Sequence, residues 1–170
     1  IIISSPFWLI IAIGIKLSSK GPIFYRADRI GKDGKKFVLY KFRSMRVNVD
    51  SDTVQATKDD PRKTRIGEFM RRTSIDELPQ LFNVILGDMS LVGPRPPLPS
   101  EVRSYTLEER KRLNITPGIT CLWQVSGRSE LPFSRQIALD KEYIASQSAW
   151  KDFLILLKTI PAILTGKGAW

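Results

Sequence analysis

The apolar positions divide the chain into stretches of different character. Residues 1–17 are apolar apart from Ser4, Ser5 and Lys16. As one straight helix they extend roughly 25 Å, at about 1.5 Å per residue. A membrane-crossing helix needs about 20 apolar residues, so the stretch is marginal for a span. Pro6 removes a backbone donor and kinks a helix, and Ser4 and Ser5 can satisfy the freed carbonyls. On the residues alone three readings stay open: a helix–break–helix entering and leaving one leaflet, the tail of a longer spanning helix, and a buried core helix. No small-x-small cleavage site follows, which argues against a removable signal peptide.

Beyond a turn at 18–22 the pattern shortens. Residues 23–25 and 37–40 read as strands joined by a glycine-bearing hairpin loop over 29–36. Lys41 to Arg46 alternates basic and apolar. Residues 47–60 are polar and acidic, a loop. Asp60-Pro61 predicts a helix start, because Asp caps and Pro suits the first helical position. The helix then runs about three turns, with Ile66, Phe69 and Met70 on one apolar face. Leu78, Leu81, Phe82 and Ile85 follow the i, i+3, i+4, i+7 pattern of a second helix. It starts near Ile75 or Asp76, since Pro79 is tolerated only in a first turn, and Gly87 ends it. Thr106 and Glu109 form a capping box for a short helix. Residues 116–118 read as a turn and 120–128 as a short strand running into a glycine loop. Residues 134–148 are a helix with Ile137, Ile144 and Ala145 inward. Residues 150–164 are apolar nearly all round, and suit equally a helix in a membrane interface and a packed C-terminal core helix. The class expected is α/β, mostly helical with a small sheet, in one domain or one domain with an appendage.

Charge changes this picture. The formal net charge is +10, and residues 1–50 carry 10 Lys and Arg against 3 Asp and Glu. The excess therefore sits beside the most apolar stretch, which points to an anionic membrane surface. Nucleic acid is the rival partner for a basic protein, but the aromatics do not interleave with the cations as a stacking platform requires. A non-catalytic basic module, binding a membrane or nucleic acid, is the alternative to an enzyme. The single Cys121 cannot close an intrachain disulfide, so a reducing, cytoplasmic setting is the default. It reads as a small buried residue.

The chain has no histidine. That excludes Ser-His-Asp and Cys-His catalysis and imidazole metal sites. A metal must be held mainly by oxygen, which favours a hard cation such as Mg²⁺. In this setting Asp76 and Glu77 change meaning. Acidic residues in a first helical turn usually stabilise the helix end. A carboxylate can also attack a phosphoryl centre, and its neighbour can bind Mg²⁺. Arg71 and Arg72 are close enough in sequence to keep the pair ionised or to clamp a phosphate. In Gly93-Pro-Arg-Pro-Pro97 the prolines fix φ around Arg95 and present it with little loop entropy to lose. Arg128, after Ser126-Gly127, is similar, and Lys41 could meet lipid headgroups or a diphosphate.

Together these motifs resemble the bacterial sugar transferase family, the monotopic polyprenyl-phosphate phosphoglycosyl transferases. The resemblance rests on Ser5-Pro6, Gly21-Pro-Ile-Phe-Tyr25, Arg29-Ile-Gly31, Tyr40-Lys-Phe-Arg-Ser-Met45 and Asp59-Asp-Pro-Arg62. It continues through Arg71-Arg-Thr-Ser-Ile-Asp-Glu-Leu-Pro-Gln80, Gly87-Asp-Met-Ser-Leu-Val-Gly-Pro-Arg-Pro96, Pro117-Gly118, Leu122-Trp-Gln-Val-Ser-Gly-Arg128 and the tail from Gly166. It implies transfer of sugar-1-phosphate from a UDP-sugar to polyprenyl (undecaprenyl) phosphate, with release of UMP. The mechanism implied is ping-pong through a phosphosugar on Asp76, with Glu77 helping to bind Mg²⁺. Arg71 and Arg95 match positions linked to phosphate or nucleotide binding. Ser5-Pro6 matches the break that makes the membrane helix re-entrant. Residues 1–20 would then be the membrane helix and 21–170 a catalytic unit on the cytoplasmic face of the bacterial inner membrane, among membrane lipids, acting early in exopolysaccharide, O-antigen or capsule assembly. Nucleic acid is not an expected partner, and a homodimer is left open. Cys121 departs from the family's usual Gly. Larger members carry further N-terminal helices and a regulatory domain, and the tail here is similar to theirs, so a preceding portion is expected.

Overall fold

The computed structural model describes residues 5–47, 60–166 and 168. Residues 1–4, most of the loop expected at 47–60, and Lys167, Ala169 and Trp170 lie outside them. The element order is α1 (Ser5–Ser18), β1 (Phe24–Ile30), β2 (Lys36–Phe42), α2 (Arg65–Arg72), α3 (Gln80–Ile85), β3 (Ser90–Val92), α4 (Pro99–Ser104), α5 (Leu107–Arg110), β4 (Gly118–Thr120), α6 (Phe133–Ala145) and α7 (Ala149–Thr165). Among the described residues the fold is mostly helical, with two small two-stranded sheets.

β1 and β2 form the expected hairpin, longer than the sequence indicated, in antiparallel register from Phe24 opposite Phe42 to Ile30 opposite Lys36. The loop shrinks to 31–35 because Gly31 N donates to Lys35 O at 2.7 Å, and Asp33 (φ 56°) and Gly34 (φ 76°) take the left-handed conformation that reverses the chain tightly. α1 lies over this hairpin. Ile11 and Ile15 are buried with Phe42 and Met70, and Trp8, Ile66, Ile75 and Leu78 close around them. Arg43 fastens the end of α1. Its guanidinium donates to Ile15 O (3.4 Å), Ser19 O (2.7 Å) and Lys20 O (2.5 Å), three carbonyls at or beyond the last turn.

Several expectations need correction. The helix expected from Asp60-Pro61 begins later and is only eight residues long. Thr64 caps it by accepting from Gly67 N. Asp60 is engaged by Arg62, through its backbone N–H and its guanidinium, while Lys63 bridges to Met45. The helix expected to open at Ile75 or Asp76 is split. Residues 75–77 form a 3₁₀ turn and α3 starts only after Pro79. Pro79 has no N–H to return to Ile75, so the chain uses the tighter Leu78 N to Ile75 O bond instead. Gly87 (φ 84°) ends α3 as expected.

α3 is also turned the other way round. Phe82, Ile85 and Leu86 are exposed (40%, 70% and 67%), whereas Asn83 is fully buried. The Asn83 amide spans the gap to β2, accepting from Tyr40 N at 3.1 Å and donating to Val38 O at 2.7 Å. The strand expected over 120–128 is instead Gly118–Thr120, parallel to β3. On α6, Tyr143 is buried and Ala145 exposed; Tyr143 packs with Val92 and Ile155. Cys121 is buried with Trp123 and Leu139, as read. α7 buries Ile155 but leaves Trp150, Phe153, Leu154, Leu156, Leu157, Ile160 and Leu164 exposed. On α1, Phe7, Leu9, Ile10, Ile13 and Leu17 are exposed in the same way.

Candidate active site

The 3₁₀ turn after α2 places the two carboxylates. Thr73 ends α2, and Ser74 takes a left-handed conformation (φ 54°) that swings the chain back under β2. Asp76 is buried at 5% exposure, and Glu77 reaches Lys41, which β2 presents from the strand just before Phe42. Lys41 Nζ lies 2.6 Å from Glu77 Oε1, and Arg95 Nη1 lies 3.4 Å from the same oxygen.

Arg95 is held by crossing backbones. Gly93 N donates to Thr120 O (3.0 Å), and Gly118 N donates to Pro94 O (3.0 Å). A Cβ on Gly118 would meet Gly93 N at 2.1 Å, so the close approach requires glycine there. The parallel β3–β4 pair therefore fixes the start of the Arg95 loop, and the flanking prolines fix the rest.

Two further guanidinium groups stand near Asp76. Arg71 comes from the last turn of α2 and acts on Asp76 electrostatically. Arg128, in left-handed backbone (φ 53°), donates to Ser74 Oγ at 3.3 Å and feels both carboxylates. Lys41, Arg71, Asp76, Glu77, Arg95 and Arg128 thus line one cleft of about 1080 Å³. Pro6 is not among the residues lining it; Ser5 and Pro6 stand at the start of α1. The first arm of the expected helix break, with Ser4, lies outside the described residues.

The environment separates the two carboxylates. Burial raises Asp76 to about 6, with Glu77 adding to the rise and Lys41, Arg71 and Arg95 only partly offsetting it. Burial also pushes Glu77 upward, but the cations Lys41 and Arg95, in direct contact, outweigh it and hold Glu77 at about 2. Burial pulls Lys41 below its ordinary value although Glu77 opposes this. Arg128 is likewise lowered by burial, against the pull of the two carboxylates. Glu77 Oε1 takes two cationic donors, while no hydrogen bond from a described residue reaches the Asp76 carboxylate. One carboxylate is therefore a fixed anion and the other is a poorly solvated group that titrates near neutrality. Among the described residues no cluster of three or more His, Cys, Asp or Glu side chains is poised to hold a metal. The available donor set is the adjacent pair Asp76 and Glu77.

Sequence reasoning missed two residues of this region. Asn83 anchors the turn-and-helix unit to β2; the signal was a lone amide in an apolar helical pattern. Arg29 lines the cleft beside Arg95; the cations of its stretch suit a solvated strand face or contacts to lipid headgroups or a diphosphate, and nothing in the sequence sets Arg29 apart from them.

The family model for bacterial sugar transferases matches residues 1–166. The chain is 45% identical over 175 residues to a UDP-glucose:undecaprenyl-phosphate glucose-1-phosphate transferase of Xanthomonas campestris pv. campestris, an alignment covering 97% of this chain and 36% of that protein. It is 41% identical over 187 residues to an undecaprenyl-phosphate galactose phosphotransferase of Salmonella typhimurium, covering 100% of this chain and 39% of that protein. It is 38% identical over 186 residues to the exopolysaccharide production protein ExoY of Rhizobium meliloti, covering 100% and 82%. The chain thus spans little more than a third of the first two relatives and most of the third.

Proposed function

The chain belongs to the bacterial sugar transferase family, and on that footing we propose that it transfers sugar-1-phosphate from a UDP-sugar to a polyprenyl phosphate and releases UMP. The observation that carries the reading is the asymmetry of the carboxylates. Asp76 is buried, takes no hydrogen bond from a described residue and is raised to about 6, so at neutral pH it is ionised yet poorly solvated, which suits a nucleophile. Glu77 is fixed by Lys41 and Arg95.

In the first step an Asp76 carboxylate oxygen forms a bond to the sugar-linked phosphorus. The bond from that phosphorus to the bridging oxygen breaks, and its electron pair leaves with UMP. In the second step an oxygen of the polyprenyl phosphate attacks the same phosphorus, and the bond to Asp76 breaks. The product is a polyprenyl diphosphate sugar, and Asp76 is regenerated as a carboxylate. Arg71, Arg95 and Arg128 supply positive charge to the phosphate oxygens, and Lys41 keeps Glu77 in place.

An all-oxygen pair of adjacent carboxylates fits Mg²⁺, which is commonly held by one or two carboxylates together with substrate phosphates. Asp76 and Glu77 would hold it, and when bound it neutralises phosphate oxygens and makes phosphorus more electrophilic.

Membrane attachment is part of the proposal. No described helix is long and apolar enough to cross a bilayer. Yet α1, α3 and α7 expose large apolar side chains, and Phe82 of α3 sits edge-on to Trp8 of α1 at 5.7 Å. Such faces suit helices lying in one leaflet, with a re-entrant α1, on the cytoplasmic side of the inner membrane. A polyprenyl phosphate carried in that leaflet then meets the cleft. The relatives' names include both glucose and galactose, so the donor is best found with a panel. The test is UMP release from UDP-sugars with Mg²⁺ and polyprenyl phosphate. The wild type should release UMP and Asp76→Asn should not; full activity in that variant refutes the assignment.

A further inference from the structure

Arg29 is a cation that no described carboxylate answers at contact distance. It stands in β1 opposite Phe37. The next residue, Ile30, donates its N–H to Pro97 O at 3.1 Å, which bonds the end of the strand to the loop carrying Arg95. The two guanidinium groups line the same cleft. Arg95 has Glu77 at 3.4 Å. Arg29 makes no ion pair among the described residues, and its charged neighbours act from farther away, with Arg95 opposing it and Glu101 and Glu77 favouring it. One oxygen of Glu101 is occupied by Leu98 N at 2.7 Å, as the cap of α4. Burial, with the nearby Arg95 adding to it, holds Arg29 down to about 10, against the pull of Glu101, Tyr25 and Glu77.

The direction of that wall matters. Asp76 feels Lys41, Glu77, Arg71 and Arg95, while Arg29 feels Arg95, Glu101, Tyr25 and Glu77. The Ile30–Pro97 bond joins the strand end next to Arg29 to the loop that carries Arg95, so Arg29 belongs to the Glu77–Arg95 side of the cleft, whereas Arg71 comes from α2. In a nucleoside diphosphate sugar the phosphorus under attack must lie at Asp76, and the second phosphate lies away from it. That second phosphate gains a full negative charge when the bridging bond breaks.

Resting on the reading of this cleft as a UDP-sugar site, we propose that Arg29, paired with Arg95, binds the phosphate of the departing nucleoside monophosphate. Two guanidinium forks, of which only Arg95 has a carboxylate at contact distance, and that carboxylate shared with Lys41, leave a net positive site for a phosphate monoester dianion. The acceptor lipid carries the same chemical group, so the test must separate the two sources.

The test is equilibrium binding of UMP, and separately of a short-chain polyprenyl phosphate, to the detergent-solubilised protein and to Arg29→Ala and Arg29→Lys. Neither measurement needs turnover, so the result stands apart from the Asp76→Asn assay of the reaction itself. The expected result is at least about a tenfold weaker Kd for UMP in Arg29→Ala, the scale of a lost charge-assisted contact. Arg29→Lys should fall between, because it keeps the charge and loses the fork, and polyprenyl phosphate binding should be unchanged. Should Arg29→Ala show no cooperative melting transition, Arg29→Lys decides on the same readouts. Unchanged UMP affinity in the folded variants, loss confined to polyprenyl phosphate, or no measurable UMP binding by the wild type each overturns the inference.

Discussion

Replacing Asp76 by Asn should make the protein more stable while removing its activity. Asp76 as a residue is 5% exposed, and burial raises its carboxyl group from 3.8 to about 6. A rise of roughly two units corresponds to about 3 kcal/mol at 1.36 kcal/mol per unit, the amount by which the folded state disfavours the charged form. The sign follows from the folded value lying above the unfolded one. Above about pH 6 the carboxylate is ionised in both states and the fold carries the whole penalty. As pH falls through 6 the folded state takes up its proton first and the penalty shrinks, vanishing below about 4. Asn removes the charge but leaves an amide that needs partners, so a net gain of roughly 1–3 kcal/mol is expected at pH 7.5. For a chain of this size that is about 3–10 °C in Tm. The assay is thermal unfolding of both proteins in the same detergent, with chelator present, at pH 7.5 and at pH 4.5. A variant that melts no higher than wild type at pH 7.5, or a difference that does not shrink at pH 4.5, refutes the claim that Asp76 is a buried, unsupported charge.

Other outcomes follow from the same geometry. UMP release should fall about tenfold per pH unit below about 6, as Asp76 protonates, while Glu77 at about 2 stays ionised throughout; a flat profile down to pH 5 argues against Asp76 as the attacking group. Lys41→Met removes both the 2.6 Å partner of Glu77 and the largest influence lowering Asp76. It should move that acid limb to higher pH and cut the neutral-pH rate by at least about tenfold; an unshifted limb argues against the coupling. A charge at Ile10 (67% exposed) or Ile85 (70% exposed) should shift the protein out of the membrane fraction without lowering Tm, whereas Ile11→Lys, at a buried position, should lower Tm as well. Equal membrane partitioning of all three with the wild type removes α1 and α3 from the lipid-facing surface.

The sequence marked out the chemistry better than the path of the backbone. The absence of histidine singled out Asp76 and Glu77 as candidates, and the Gly-Pro-Arg-Pro-Pro motif pointed to Arg95; the structure brings all of these into one cleft with Lys41, Arg71 and Arg128. Helix ends were legible where a local rule governs them, as at Thr106 with Glu109 and at Gly87. They were misread where a tertiary partner intervenes. Asp60 looked like a cap but is occupied by Arg62. Pro79 split one expected helix in two. The orientation of α3 could not be read from its apolar period, because that period marks a face turned away from the protein core. The side that touches β2 is held by a single amide, Asn83. Arg29 did not stand out from the neighbouring cations because its place beside Arg95 depends on the Ile30–Pro97 bond, which joins segments far apart in sequence.

The run Lys41-Phe42-Arg43 has a mechanical consequence. Within three residues the end of β2 holds a carboxylate of the site and packs against Trp8 of α1 at 5.4 Å between ring centres, and Arg43, the residue after it, grips the end of α1. α1 is thus not a leash that could be lengthened or exchanged for another anchor. With the proposed attachment it would work as a gauge block, the depth at which it settles setting the height of Asp76 above the lipid. On the proposed function, a chimera that keeps every cleft residue but substitutes a generic spanning helix for α1 is expected to partition with membranes and yet release no UMP, its cleft held at the wrong elevation for a polyprenyl phosphate.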